Sequence, residues 1–247
     1  MITVGITTFK HRFEKYFKPL LNKIKEIDEN IEVVVAVNGE HKENFDENYR
    51  KEILLYLSEC KNTYPIMYTE FRSLAKLWNN ILINSTNNSV LMLNDDISID
   101  NPNFFNNLRN VINTNNNCFK INNTWSHVLL NRDIIEKLGW FDERLLGIGE
   151  EDGDMEWRIL KNGFNIDNVQ LNGINNIRDN SHKPKNIETH SNTKYSLFNR
   201  HIMYDIKYSL SELGERFGIC PHKLVLVESE LIQYPYERFY WENKNRL

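Results

Sequence analysis

Ser89-Val90-Leu91-Met92-Leu93-Asn94-Asp95-Asp96 is the stretch that decides the fold of this chain. Its first five residues form an almost wholly apolar run, which is typical of a strand buried on both faces of a sheet. The run stops abruptly at three polar residues. Functional groups in open α/β sheets gather beyond the C-terminal ends of such strands. The stretch therefore predicts a buried strand with a functional site at its end.

The same pattern occurs twice upstream. Residues 2–7 and 31–37 are apolar runs that end in the polar sequences Thr7-Thr8-Phe9 and Asn38-Gly39. Apolar residues at helical spacing separate the runs, so the chain alternates between strand and helix, as α/β domains with a mainly parallel sheet do. The predicted helices cover residues 13–27, 49–57 and 72–83, and a short strand covers residues 66–68.

The second half of the chain continues the alternation and then turns helical. Further helices are predicted over 104–112 and 132–138, and strands over 119–121, 126–130 and 164–169. Residues 172–192 form a polar loop that carries His182 and His190, and the remainder (195–213 and 220–247) favours helices. We place a soft boundary near residue 190, which gives an α/β domain over 1–190 and a helical C-terminal extension over 191–247.

Composition narrows the class of protein. The chain has 247 residues and a formal net charge of −4, which suits one globular domain with an appendage and argues against nucleic acid as a partner. The chain opens directly on the first apolar run, so no signal peptide is expected, and no run reaches the roughly 18 apolar residues of a membrane span. Cys60, Cys118 and Cys220 are widely spaced and odd in number, which favours reduced thiols in a cytoplasmic protein.

A second polar cluster follows at Gly147-Ile148-Gly149-Glu150-Glu151-Asp152-Gly153-Asp154. A helix is expected to begin here, because Asp154 and Arg158 are four residues apart and Gly163 stands where a helix-terminating glycine belongs. Two interpretations remain open from these residues. The carboxylates cap the helix and stay solvated, or one of them, kept ionised by the helix dipole, serves as a general base.

The carboxylates of Asp95 and Asp96 allow two interpretations as well. Oxygen ligands at a strand end suit Mg²⁺ or Mn²⁺, especially when the cation shares its shell with a diphosphate. The alternative is a simple turn, which Asn and Asp favour. The chain lacks the sixth-position glycine of an EF-hand loop after Asp96, a Walker A sequence, and a glycine-rich loop after the first strand.

Four segments in the same order resemble the nucleotide-sugar glycosyltransferases of the GT-A fold, and more narrowly the inverting, family-2-like enzymes. They are Ile2-Thr-Val-Gly-Ile-Thr-Thr-Phe-Lys, Val33-Val-Val-Ala-Val-Asn-Gly39, Leu91-Met-Leu-Asn-Asp-Asp-Ile97 and Gly139-Trp-Phe-Asp-Glu143. The acidic stretch 151–158 is similar to the motif of β-1,4-galactosyltransferases and chondroitin-type polymerases. The resemblance covers roughly residues 1–190 and implies a Rossmann-like, mainly parallel mixed sheet flanked by helices.

The resemblance implies which residues bind the donor. Thr8, Phe9 and Asn38 match positions that line the base and ribose, and Arg72 and Lys76 lie on the helix that approaches the diphosphate. Asn94-Asp95-Asp96 matches the DxD motif, with Asn94 in place of its first acid and Asp96 as the metal ligand. Asn38 stands where the family more often has aspartate, which leaves the base less defined. UDP-sugars are the expected donors, with Mn²⁺ or Mg²⁺ as cofactor.

The resemblance also implies the catalytic residues and the partners. Asp152 matches the general base, Glu151 the carboxylate that orients the acceptor, and Trp140 an apolar face for a sugar ring or a core residue. His182 matches the later metal ligand, with His190 in reserve. The expected reaction is a single in-line displacement onto a hydroxyl of a glycan or glycolipid, as in polysaccharide biosynthesis in the cytoplasm.

Three other functions are compatible with parts of the sequence. A sugar-1-phosphate nucleotidyltransferase has a similar sheet but needs a glycine-rich loop after the first strand, and a retaining transferase leaves the pair Glu151-Asp152 unexplained. A degenerate binding or scaffold domain would explain Asn94 in place of an acid. The aromatic tail at 234–241 is expected to fold back over the core. Contact with the inner face of the membrane is its alternative.

Overall fold

The computed structural model describes residues 1–39, 45–115, 117–177 and 194–207. Contacts within the chain divide it into two compact units. Unit 1 comprises Met1–Arg72, Leu77–Ile134 and Phe164–Arg178, and unit 2 comprises Ser73–Lys76, Ile135–Gly163 and Asp179–Leu247. His182, His190, Cys220, the aromatic tail and the predicted boundary near residue 190 all lie outside the described residues, and what was predicted for them stays a prediction.

Unit 1 is built on a sheet which, within the described residues, has seven strands in the order β3-β2-β1-β4-β7-β6-β8. The strands are β1 (Ile2–Thr8), β2 (Glu32–Val37), β3 (Thr63–Met67), β4 (Ser89–Asn94), β6 (Cys118–Ile121), β7 (Thr124–Asn131) and β8 (Ile166–Val169). Strands β1 to β4 pair in parallel, as do β6 and β8, whereas β7 is antiparallel to both of its neighbours. The predicted mainly parallel sheet is confirmed.

The described helices lie between these strands and after them. They are α1 (Lys18–Ile27), α2 (Glu47–Ser58), α3 (Leu74–Asn84), α4 (Phe104–Thr114), α5 (Arg132–Lys137), α6 (Glu151–Lys161) and α7 (Lys194–His201). A 3₁₀ turn at Lys10–Arg12 and a π-helix at Phe13–Phe17 lead into α1, and a second π-helix, Ile202–Lys207, follows α7. None of the helices in the described ranges combines the length and the apolarity that a membrane span requires.

Burial explains why the strand runs do not alternate. Val33, Val34 and Val35 on consecutive positions of β2 are all fully buried, and so are Val90 and Leu91 on β4. Side chains of successive residues point to opposite faces of a sheet, so both faces of these strands must be covered. Helices on both faces provide that cover in α/β folds. The central strands are therefore a rigid base for the polar turns at their ends.

Two features of unit 1 differ from the sequence prediction. Strand β3 begins at Thr63, not at residue 66, because it is the edge strand and can include Pro65 without losing a ladder hydrogen bond that the sheet needs. A small antiparallel sheet pairs β5 (Ile97–Ile99), where no element was predicted, with β9 (Ile174–Asn176), which falls in the segment predicted as a loop. Three-residue strands are too short for an alternation pattern to reveal.

Helix α6 of unit 2 ends as its sequence predicts, but its carboxylates behave differently from simple caps. Gly163 follows the helix with a φ of +77°, and Asp154 pairs with Arg158 one turn later. Glu151 and Asp154 are buried, with 4% and 0% of their surface exposed. For these two acids the interpretation as solvated helix caps is wrong, because the loop before the helix and the residues packed on it exclude water.

Candidate functional site

The C-terminal ends of β1 and β4 meet at one edge of the sheet in unit 1. The strands are parallel neighbours, and Thr7 lies opposite Asn94, the last residue of β4. Asp95 and Asp96 form the tight turn between β4 and β5. The hydroxyl of Thr8 donates a hydrogen bond of 2.9 Å to Asp95 Oδ2. The structure thus brings together three of the predicted donor and metal residues, namely Thr8, Asp95 and Asp96.

Arg12 bridges the two carboxylates, although the sequence did not single it out. Its Nε lies 2.6 Å from Asp95 Oδ1 and its Nη2 lies 2.8 Å from Asp96 Oδ2. The guanidinium carbon is 4.9 Å from the centroid of the Tyr16 ring and 5.9 Å from that of Phe9, distances at which cation–π attraction contributes. The 3₁₀ turn after β1 therefore aims a cation at the diacid.

Burial and charge set the protonation of this group. Burial raises the pKa of Asp95 to about 6, even though the charge of Arg12 and the hydrogen bond from Thr8 act to lower it. Burial alone would lower the pKa of Arg12, but the charges of Asp95 and Asp96 outweigh it and raise that pKa. Arg12 and Thr8 therefore oppose the cost of burying the Asp95 carboxylate, and we refer to Arg12, Asp95 and Asp96 as the charged triad.

The chemistry of this diacid fits a hard divalent cation, which prefers oxygen ligands. Asp96 is the more accessible member, with 32% of its side chain exposed against 5% for Asp95. In the described ranges, no group of three or more histidine, cysteine, aspartate or glutamate side chains is placed to hold a metal. Two carboxylates suit a cation that completes its shell with water and phosphate oxygens, as Mg²⁺ usually does.

Asn38 and Arg72 are both predicted to bind the donor, and the side chain of Asn38 forms hydrogen bonds with the backbone of Arg72. The Asn38 amide donates from Nδ2 to the carbonyl of Arg72 over 3.0 Å, and its Oδ1 accepts from the N–H groups of Arg72 and Gly39. Aspartate has no donor for that carbonyl. This contact explains why the chain has asparagine here. Gly39 is required nearby, since a Cβ at this position would lie 2.4 Å from the backbone of Glu70.

The acidic loop of unit 2 holds Glu151 in a buried place. Gly149, with a φ of +112°, and Glu150, with a φ of +76°, turn the chain back, and the Gly149 N–H donates to Glu151 Oε2 over 2.6 Å. Asp152 is half-buried, and its Oδ1 accepts from the N–H of Gly153 over 2.7 Å. Burial, reinforced by the charge of the adjacent Asp152, raises the pKa of Glu151 to about 8. At neutral pH Glu151 is therefore mostly protonated.

This pKa predicts how stability depends on pH. The pKa of Glu151 is above its ordinary value of 4.5 in the folded chain, so the folded state binds more protons than the unfolded state between that value and about 8. The free energy of unfolding should therefore fall as the pH rises through this window. Glutamine does not titrate, so this pH dependence should be absent from Glu151→Gln. We therefore expect the stability of the variant, relative to that of the wild type, to be higher at pH 9 than at pH 5.

Urea unfolding at both pH values measures the difference, with Glu52→Gln on exposed α2 surface as the charge-matched control. A stability difference between Glu151→Gln and the wild type that is the same at pH 5 and pH 9 contradicts the buried, protonated side chain.

Asn199 on α7, which also belongs to unit 2, forms hydrogen bonds with the same loop. Its side chain is fully buried, accepts from the N–H of Leu146 over 2.8 Å, and donates to the carbonyls of Leu146 and Gly149 over 2.9 and 2.8 Å. One amide thus satisfies three backbone groups of an irregular loop, which leaves the loop a single well-defined path before Glu151.

The remaining predicted residues of unit 2 have structural contacts. Lys76 lies 3.3 Å from Glu143, and both side chains are buried. Trp140 is half-buried, has a φ of +68°, and accepts through its carbonyl from Arg158 over 2.6 Å. The structure therefore places Lys76 beside Glu143. It places Trp140 before the acidic loop, in contact with Arg158. Their roles toward diphosphate and sugar stay predictions.

Comparison with known proteins places this geometry in context. No family model matches the chain, and no curated protein matches it. The crystal structure of S. aureus TarS matches with a TM-score of 0.54 at 16% identity, over 69% of this chain and 35% of that one. TarS 1-349 in complex with UDP-GlcNAc matches with a TM-score of 0.53 at 15% identity, over 69% of this chain and 55% of that one.

The mannosyltransferase PcManGT from Pyrobaculum calidifontis, in complex with GDP-Man and Mn²⁺, matches with a TM-score of 0.50 at 14% identity, over 69% of this chain and 54% of that one. The fold is GT-A-like. The predicted fold class is thereby confirmed, whereas the family-2 subdivision and the acidic motif stay predictions. The chain spans between 35% and 60% of the length of the structures it matches, and at such identities the likeness concerns the fold alone.

Proposed function

We propose that the chain is a nucleotide-sugar glycosyltransferase, with a divalent cation as cofactor and inversion at the anomeric carbon. The observation that carries the proposal is the triad of Arg12, Asp95 and Asp96 at the end of β4 in a GT-A-like fold. Charged groups beyond the C-terminal strand ends are where such sheets bind ligands. TarS and PcManGT, which share this fold, were solved with UDP-GlcNAc and GDP-Man.

Donor binding is assigned to the residues that the resemblance indicates. Thr8, Phe9 and Asn38 would contact the base and ribose. Arg72, which precedes α3, and Lys76 on α3 would contact the diphosphate. UDP is the expected nucleotide. Asp96 and His182 would hold the cation, which when bound neutralises charge on a diphosphate leaving group. His182 is assigned to the cation from the resemblance alone, since it lies outside the described residues.

Proton transfer is assigned to Asp152. In the proposed reaction this carboxylate takes the proton of an acceptor hydroxyl as the hydroxyl oxygen attacks the anomeric carbon, and the bond to the nucleoside diphosphate breaks on the opposite side. Glu151, protonated at neutral pH, orients the acceptor. Asp152 is the second residue of α6, where the helix dipole attracts negative charge, and this position supports it as the base. A glycan or glycolipid hydroxyl is the proposed acceptor.

A thermal-shift panel tests the donor site. UDP, GDP, CDP and TDP are each added with and without Mn²⁺ to the wild type, Asp96→Ala and Asp100→Ala, the last altering an exposed aspartate near the site. We expect one base to raise the melting temperature, only with Mn²⁺, by about 5 °C or more at ~100-fold excess over Kd. The shift should disappear in Asp96→Ala and persist in Asp100→Ala.

The outcomes separate the alternatives. No shift with any nucleotide contradicts the proposal and favours a scaffold domain. Binding without release of the nucleoside diphosphate from its sugar favours a binding domain that has lost catalysis. Formation of a nucleotide-sugar from a nucleoside triphosphate and a sugar 1-phosphate would instead identify a nucleotidyltransferase.

A further inference from the structure

Arg12 occupies the two carboxylates that the proposed cation needs. Its guanidinium contacts Asp95 at 2.6 Å and Asp96 at 2.8 Å, and it lies within cation–π distance of the rings of Tyr16 and Phe9. The arginine side chain is 20% exposed, so the pairing takes place in a partly dry environment where charges interact strongly. The diacid is therefore already neutralised in part by a cation of the protein itself.

The contact with Asp96 is more than the fold requires. Asp95 is 95% buried and would be costly to leave unpaired, but it has both Thr8 and Arg12 as partners. Asp96 is one-third exposed, and an exposed carboxylate is well solvated and gains little stability from an ion pair. A purely structural arginine could pair with Asp95 alone. The fork of Arg12 reaches the accessible carboxylate as well.

This arrangement has a consequence for a divalent cation. An ion bound to either oxygen of Asp96 lies close to the guanidinium on the same carboxylate, and two neighbouring cations repel each other. A cation arriving alone therefore binds weakly. A nucleoside diphosphate changes the balance, because its phosphate oxygens can share the cation and also accept the two parallel N–H groups of an arginine fork.

We propose that Arg12 couples cation binding to nucleotide binding at this site. It pairs with Asp95 and Asp96 while the donor is absent, and it pairs with the diphosphate when donor and cation arrive together. The inference rests on the proposed function, since it requires a nucleoside diphosphate at Asp96. Under this proposal the enzyme binds a divalent cation weakly when the donor is absent, and it takes up the cation together with the donor.

Titration with Mn²⁺, followed through the electron paramagnetic resonance signal of the free ion, tests the coupling. The protein is measured alone, with UDP and with GDP, in the wild type and in Arg12→Gln. In the wild type we expect the matching nucleotide to tighten Mn²⁺ binding by about 10-fold or more, within the usual 5–150-fold range of coupling between sites. In Arg12→Gln, Mn²⁺ alone should bind about 10-fold more tightly than to the wild type, and the coupling should fall to about 2-fold.

Three further variants identify the cause. Arg50→Gln removes a partly exposed arginine that pairs with Glu47 at the surface, and it should behave as the wild type. Arg12→Lys keeps the charge but loses the fork, so Mn²⁺ alone should still bind weakly while the coupling falls. It also guards against a folding defect in the glutamine variant. Adding Asp96→Asn to Arg12→Gln should abolish the gained Mn²⁺ affinity.

The result that overturns the inference is an equal affinity of wild type and Arg12→Gln for Mn²⁺ without nucleotide. If UDP or GDP still binds with Mn²⁺ in that case, the proposed function stands and only the role of Arg12 is wrong. If neither nucleotide binds to the wild type with or without Mn²⁺, both proposals are overturned.

Discussion

Replacing Asp152 by asparagine is expected to lower sugar transfer by about 10³-fold at pH 7, since a positioned general base contributes roughly 10²–10⁴-fold. Asparagine keeps the shape of the side chain and an oxygen that can accept from the Gly153 N–H, a bond of 2.7 Å in the wild type. It cannot take up a proton at this pH. The loss should therefore appear in the rate and not in the stability of α6.

The measurement is the rate of nucleoside diphosphate release from the nucleotide-sugar, together with nucleotide affinity from the thermal-shift assay. Nucleotide affinity should be unchanged, because Asp152 is assigned to proton transfer and not to binding of the donor. Glu156→Gln is the matched control, an acid one turn further along the same helix, and it should retain most of the rate. Loss of a general base costs at least roughly 10²-fold in rate. An Asp152→Asn variant that keeps more than about a tenth of the rate would therefore show that another residue is the base.

Much of the fold could be predicted because it rests on burial. Strands covered on both faces need unbroken apolar runs, and the runs around Val34 and Leu91 are both found as central strands. The ends of those strands were predicted correctly for the same reason, since polar residues cannot continue into a dry layer. Elements that depend on pairing partners were missed, such as the three-residue strands β5 and β9, which are far apart in the chain and pair with each other.

The site was less predictable, because it depends on directions of side chains. The sequence indicated Thr8, Asp95 and Asp96 from strand ends, and these lie together. It did not indicate Arg12, although an arginine in the polar turn directly after β1 was a usable signal, since a strand-end diacid needs a cation. The four carboxylates within residues 150–154 look alike in sequence. Only the structure shows that Glu151 is buried and that Asp152 is more accessible.

Replacing Lys207 by methionine is expected to reduce the free energy of unfolding by about 3–5 kcal/mol at pH 7, the usual cost of removing one partner from a buried ion pair. The Lys207 ammonium lies 2.9 Å from Asp142 and 2.7 Å from Asp154, and all three side chains are at most 1% exposed. Arg144 and Arg158 also contact these two acids, at 2.7 and 2.9 Å. Without the lysine, two carboxylates face each other in a dry interior with less compensation.

The pH dependence of this loss follows from Asp142. Burial alone would raise its pKa, but the charges of Lys207 and Arg144 outweigh burial and lower it to about 2, below the ordinary 3.8. The acid therefore contributes stability above its ordinary pKa, and that contribution disappears as the pH falls through about 2. The deficit of Lys207→Met should accordingly be largest at pH 7 and shrink below about pH 4, where the carboxylate that has lost its cation takes up a proton.

Urea unfolding at pH 7 and pH 3 measures the deficit of Lys207→Met, with Lys61→Met as control. Lys61 lies 3.9 Å from Glu29 with both side chains more than half exposed, so its loss should cost less than about 1 kcal/mol at either pH. Asp142→Asn combined with Lys207→Met should be less destabilised than the sum of the single variants, because the lysine matters less once one acid is neutral. Additive effects would mean that Lys207 stabilises unit 2 through packing of its methylenes and not through its charge.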